Sequence, residues 1–234
     1  EKYHSEDLNL TQIHELKNWR IREALNSAQV RSDESDYDVR KQQLSMGASD
    51  EIQREQVYET RNQIIFSDGL DYDLEGWMKQ LFSDFVRQHP HLEKRDLRRF
   101  ILDNLSYGFD DDFGQLDLNN SRAVVAYLLA VAEKELKRKE EYFSDETEKK
   151  RFYNLAALKA IDVCWIKQVD NLQQLRQMVA MRTSAQRDPM NEYHHVALSS
   201  YKKMCREIKR LTIRNVLMSS ITIDKFGKKD VYYV

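Results

Sequence analysis

The sequence has 234 residues, 41% of them hydrophobic and 32% charged, with only 6 Gly and 2 Pro, a usage that favours long helices over turn-rich β architectures. Its formal net charge of -2 excludes a general nucleic-acid binder, which carries a marked basic excess. No run approaches the roughly 20 apolar residues of a membrane-spanning helix, and no signal-peptide pattern opens the chain. Cys164 and Cys205 read as two reduced thiols of a cytosolic protein.

The first residue is Glu1 rather than Met, so the chain is read here as a piece of a longer protein. From Thr11 to Phe66 there is no Pro and one Gly, Gly47. Ile13, Leu16, Leu25 and Ala28 begin a weak apolar stripe that resumes at Val39, Leu44, Ile52, Val57 and Ile64. The spacing predicts one very long helix, weakest at Gly47, where Gly costs about 1 kcal/mol relative to Ala. Such a rod cannot bury itself, so other segments must pack along it. Ser67-Asp68-Gly69 ends it.

A small helical domain is expected next. Leu74, Trp77, Met78, Leu81, Phe82 and Phe85 fall at three- and four-residue spacings and form one wide apolar face. A second short helix carries Leu97, Phe100, Ile101 and Leu105. An aromatic and acidic loop, 107–117, precedes a third helix with N-cap candidates at 119–121 and an apolar face of Val124, Val125, Leu128, Leu129 and Ala132. Ser144-Asp145 suits the start of the helix that follows.

Two matched stripes come next. Leu158, Ile161, Trp165, Gln168, Leu172, Leu175 and Val179 alternate spacings of three and four, as do Ala197, Tyr201, Met204, Ile208, Leu211, Asn215 and Met218. The link between them ends in Asp188-Pro189, an N-cap followed by Pro at the first helical position. The pattern predicts two antiparallel helices packed on each other, each arm about 40 Å long by its helical rise. Cys164 and Cys205 then lie at similar distances from the tip and near one another, without being bonded. From 222 the chain turns β-prone, with 226–228 as a turn, and this tail is expected to dock on a partner or on missing parts of the protein.

Catalytic chemistry finds little support. Asp33-Glu34-Ser35-Asp36 superficially resembles the acidic magnesium motif of helicase-like ATPases, but no hydrophobic strand precedes it, and no G-x-x-x-x-G-K-[ST] loop occurs anywhere. A charged helix surface is the simpler reading. Asp110, Asp111, Asp112 and Asp117 fail the EF-hand spacing, and His89-Pro90-His91 and His194-His195 lack partners at metal-ligand spacing. No nucleophile stands beside a base motif. The chain is therefore read as no enzyme by itself, with no catalytic, cofactor or metal residue of its own. Lys202, Lys203, Arg206, Lys209, Arg210 and Arg214 make the second arm basic; contact with anionic lipid head groups or acidic protein surfaces stands beside a plain solvated face.

Ile161-Asp162, Trp165, Asp170, Leu175-Arg176-Gln177, Arg182, 185–189 and Glu192-Tyr193 resemble the two-helix finger of SecA, the bacterial preprotein translocase ATPase. Ala28-Gln29, 37–42, Val57-Tyr58 and Arg61-Asn62 are similar to its scaffold helix, in the right order and at about the right distance. The resemblance covers roughly 24–223. It implies an all-α chain: an N-terminal segment and scaffold helix over 1–66, a helical wing over 67–145, the finger over 146–221 with its second arm packed on the scaffold, and a short tail, 222–234, with β character. It implies a part of a protein-export motor that couples ATP-driven movements to preprotein passage through a SecY-type channel, with ATP and Mg bound by an upstream motor domain and a location on the cytoplasmic face of the plasma membrane. The fingertip that would touch channel or polypeptide is Arg182, Thr183, Ser184, Ala185, Gln186, Arg187 and Asp188. The family's fingertip Tyr is replaced by Ser184 and its E-Y-D-D by 45–48, departures that resemble an accessory SecA paralogue. The alternative is a helical scaffold or adaptor with no role in transport; the Asp188-Pro189 tip with Arg176, Arg182 and Gln186 speaks against it, since a generic coiled coil requires none of these identities.

Overall fold

A computed structural model describes residues 19–66, 72–181, 189–225 and 228–234. Among the described residues, six helices run in chain order, α1 (Trp19–Phe66), α2 (Leu74–Gln88), α3 (Lys94–Asn104), α4 (Ser121–Glu140), α5 (Glu146–Met181) and α6 (Pro189–Met218), followed by β1 (Ser220–Ile223) and β2 (Lys229–Tyr232). The all-α reading with a short β tail is what the chain adopts. The chain divides into two units, 1–48 and 49–234. In the first, the described part of α1 is a helix exposed at nearly every position, including Leu25, Val30, Tyr37 and Leu44. Asp33 to Asp36 sit on that exposed helical surface, and Gly47 lies within the helix.

Among the described residues, the second unit has three buried apolar clusters. In one, α2, α4 and α3 with its flanking residue bury Phe82, Leu97, Ile101, Leu105, Val124 and Leu128 completely. Ile213 and Leu217 of α6 complete that cluster. The apolar faces read at three- and four-residue spacing are the faces that meet. Phe100 stacks on Phe85 at 3.9 Å and meets Phe82 edge-on at 6.1 Å between ring centroids.

Local capping sets the helix starts. Asp73 accepts from the Gly76 amide at 2.9 Å, so close that a Cβ on Gly76 would collide with the carboxylate. Asn120 accepts from the amides of Arg122 and Ala123 at 3.1 and 3.2 Å. Asp145 accepts from the Glu148 amide at 2.7 Å, while the Glu148 carboxylate accepts from the Ser144 amide at 3.1 Å. These bonds satisfy amides that the first helical turn leaves without partners.

The acidic residues of the loop are exposed, and three of them also order its backbone. Asp111 accepts from the Phe113 amide and from the Tyr127 hydroxyl, and Asp112 and Asp117 accept from the amides of Gly114 and Asn119. Phe113, at φ 68°, is a buried non-glycine residue in the left-handed region, a conformation that costs roughly 1 kcal/mol or more. Packing against Tyr127 and the Arg98 guanidinium offsets it.

The tail corrects one expectation. β1 and β2 pair antiparallel, Ser220 with Tyr232 through Ile223 with Lys229, and this hairpin docks on the chain itself rather than on a partner. Ile221, Val231 and Tyr233 pack on Phe152, Ala156 and Val216. The Tyr233 hydroxyl donates to the Phe152 carbonyl at 2.9 Å, and Lys229 pairs with Glu148 at 2.6 Å. An isolated two-stranded hairpin is marginal in water, and this apolar seat supplies what it lacks.

Leu128→Ala should lower the unfolding free energy by about 2–5 kcal/mol, the cost of a core cavity, while Asn120→Ala should cost about 1 kcal/mol through the lost cap. Urea unfolding followed by circular dichroism checks the order; equal costs would mean that α4 is not held mainly by its buried face.

Candidate functional site

α5 has 36 residues and α6 has 30, so at helical rise they extend about 54 and 45 Å. They pack against each other, and their contacts show opposite directions: Tyr193 and Arg176 meet at Asp50, and Ser200 meets Gln168. Every predicted stripe position on both arms is buried or half-buried. The α1 residues of the second unit, 49–66, complete the seam. Val57 and Ile64 of α1 cluster with Ala157, Ile161 and Cys164 of α5 and with Met204 of α6. Cys164 and Cys205 belong to this cluster as free thiols. Burial pushes the Cys164 thiol up to about 11, so it stays protonated and unreactive at neutral pH.

Two polar layers cross the three helices. In one, the Gln168 side-chain amide donates to Gln53 Oε1 at 2.9 Å, the Ser200 hydroxyl donates to Gln168 Oε1 at 2.7 Å, and Gln53 donates to the Ala197 carbonyl at 3.4 Å. Gln168 and Gln53 are 2% and 6% exposed, so these bonds replace water that has been excluded. In the other, Asp50 pairs with the Arg176 guanidinium and accepts from the Tyr193 hydroxyl at 2.5 Å. Burial, followed by the bond to Asp50, raises the Tyr193 phenol to about 12. Arg61 and Asp162 form a further, exposed bridge at 2.9 Å. The sequence reading named Gln168, Arg176 and Tyr193 but missed Asp50 and Gln53. Their signal was a polar pair three residues apart, hence on one helix face, within a weak apolar stripe.

The fingertip residues Arg182 to Asp188 lie outside the described residues. α5 closes at Met181 and α6 opens at Pro189, the position expected for a Pro that needs no amide bond. Toward its other end, α6 also anchors the hairpin: Asn215 donates to the Ala156 carbonyl at 2.9 Å, and Lys139 of α4 donates to the Ser219 carbonyl.

The basic arm is divided in its roles. Lys202, Lys203 and Arg206 face solvent. Lys209 lies over the Trp77 ring, 5.4 Å from its centroid, and Arg210 binds Glu207 at 2.6 Å and Asn104 at 3.3 Å. A single solvated face is therefore not what the six cations form. Among the described residues, no helix is long and apolar enough to cross a membrane, and no group of three or more His, Cys, Asp or Glu could hold a metal ion.

Residues 15–220 match the model of the SecA Wing and Scaffold domain. The chain belongs to that SecA family. It is similar to the protein translocase subunit SecA 2 of Staphylococcus aureus strain Newman, 34% identical over 219 residues, which cover 93% of this chain and 28% of that protein. The SecA 2 subunits of strains NCTC 8325 and COL match to the same extent. The chain thus spans little more than a quarter of these relatives' length. Their SecA 2 designation agrees with the accessory-paralogue reading drawn from Ser184 and 45–48.

Tyr193 gives a pH test of the upper polar layer. Its folded-state value lies above the ordinary 10.0, at about 12, so its contribution is complete below pH 10 and is lost as pH rises through about 12. The stability gap between the wild type and Tyr193→Phe should be largest near neutrality and shrink between pH 10 and 12. Denaturant titrations across that range check it; a gap that does not narrow would separate Tyr193 from the alkaline transition.

Proposed function

We propose that this chain is the scaffold, wing and finger region of a SecA-type protein-export motor, and that it carries ATP-driven movement of an upstream motor domain to the polypeptide at a SecY-type channel. The single observation that supports this most strongly is that both arms of the hairpin are tied to one α1 segment through Asp50 and Gln53. A displacement of that segment is transmitted to α5 and α6 together, because the apolar seam and two polar layers resist sliding. A stiff two-helix arm then carries the displacement to its tip with little internal loss. The tip proposed to touch channel or polypeptide is Arg182, Thr183, Ser184, Ala185, Gln186, Arg187 and Asp188. With Ser184 in place of the family's Tyr, contact there would rest on hydrogen bonding and charge rather than on an aromatic grip.

The proposed division is scaffold 1–66, wing 67–145, finger 146–221 and tail 222–234. ATP and Mg would be bound by the upstream motor, and the exported preprotein, the channel and an anionic lipid surface are the proposed contacts. The working place would be the cytoplasmic face of the plasma membrane.

Two variants of the complete translocase chain test the reading. Asp50→Ala with Arg176→Ala should leave ATP hydrolysis near the parent rate and lower translocated preprotein per ATP by about tenfold, equivalent to about 1.4 kcal/mol of lost coupling. Ser184→Cys should crosslink to a stalled export substrate or to the channel. Full coupling in the first variant would remove the seam from the stroke, and no crosslink to either partner in an active complex would remove the fingertip role.

A further inference from the structure

A groove of about 400 Å³ runs between the wing and the second arm. Its floor is apolar and half-buried, formed by Trp77, Leu81 and Phe85 of α2 and Phe100 of α3. Its α6 wall is basic, formed by Lys203, Arg206, Lys209 and Arg210. The two carboxylates in the groove are already committed, Asp84 to Arg87 at 2.8 Å and Glu207 to Arg210 at 2.6 Å. Lys203 and Arg206 are exposed and make no ion pair among the described residues. A second hollow adjoins the first through the shared Arg210 and adds Arg214, Asn104 and Tyr107. There the Arg214 Nε is shielded from water and has no hydrogen-bond partner. Lys203, Arg206, Arg210 and Arg214 follow one another at spacings of three and four, so they lie on one face of α6. From Lys203 to Arg214 the track is about 16 Å long, the reach of about five extended residues.

We propose that this track is a docking site for an acidic polypeptide segment that also carries aromatic or aliphatic side chains. The unmatched cations call for carboxylates, which an Arg guanidinium binds in bidentate fashion. The Trp, Leu and Phe floor calls for apolar side chains between those carboxylates. A polyphosphate strand fits less well, because it would bring nothing to fill the apolar floor. A flat lipid surface cannot enter a concave groove. The site lies on the wing side of α6 and its occupancy does not depend on the fingertip reading.

The test uses the full chain and fluorescent synthetic peptides of equal length: one of alternating Glu with Leu and Phe, one with Lys in place of Glu, and one with Ser in place of Leu and Phe. Anisotropy should show binding of the first, with the second and third weaker by about tenfold or more. Lys203→Glu with Arg206→Glu, both at exposed positions, should reverse the preference between the Glu and Lys peptides while leaving thermal unfolding unchanged. No binding of the Glu-Leu-Phe peptide would overturn the proposal, as would an unchanged preference in the double variant. Tighter retention on phosphatidylglycerol vesicles or on a poly(U) oligonucleotide than on that peptide would overturn it in favour of a phosphate ligand.

Discussion

A helix has no inside of its own, and the second unit of this molecule is organised by the way three helices answer that constraint together. Residues 49–66 of α1 lie in the seam between α5 and α6, where Val57, Ile64, Ile161, Cys164 and Met204 exclude water. Each such aliphatic side chain contributes about 1.5–3 kcal/mol when fully buried, so the apolar seam is a large part of what holds the two arms together. The polar layers contribute differently. A buried glutamine pair adds little net stability when complete, yet removing one partner leaves the other without water or bond, at a cost of about 1–3 kcal/mol. Asp50 and Tyr193 follow the same logic, while the Arg176 side chain stays open to water.

The packing of α2 to α4 depends on the same hairpin. Its core is closed by Ile213 and Leu217 of α6, Lys139 reaches from α4 to the Ser219 carbonyl, and Arg210 reaches Asn104 of α3. The C-terminal part of α6 thus packs on α2 to α4 as well as on α5. Moving the arm against the wing would expose apolar core and strand a buried lysine, whose charged form burial already disfavours. The β hairpin adds a further brace, seated on Phe152 and Val216. The α2–α4 bundle, the base of α6 and the tail are therefore joined by apolar contacts.

Periodic features were legible in the sequence, and pairings were not. The apolar faces of α2 to α4, both hairpin stripes and the Pro189 start follow from spacing and from the chemistry of Pro, because each is settled within one or two helical turns. The β character of the tail was legible from Ile221, Ile223 and 231–234, but its seat was not, since Phe152 lies some eighty residues away in sequence. Asp50 and Gln53 escaped notice for a similar reason. A polar residue on a weakly apolar helix looks like solvent-facing surface until the partner helix that buries it is known. The six cations of α6 read as one face, yet Trp77 and Glu207 draw two of them into the groove. The fingertip was read from identity with a family pattern alone, a kind of evidence that carries function without geometry.

Why the seam carries glutamines at all follows from what a purely apolar one would permit. Leucine contacts are nondirectional, so a hairpin slipped along α1 by one heptad would bury almost as much area and lose little. With Gln53 bonded to Gln168 and Asp50 to Arg176 and Tyr193, the same slip breaks both layers at once and leaves several desolvated polar groups unmatched. A single polar core position is known to fix register in coiled coils, and here two layers on three helices do so. The arrangement makes the seam specific rather than merely sticky. For three helices that must pack in one register, that specificity matters more than the last kilocalorie of stability.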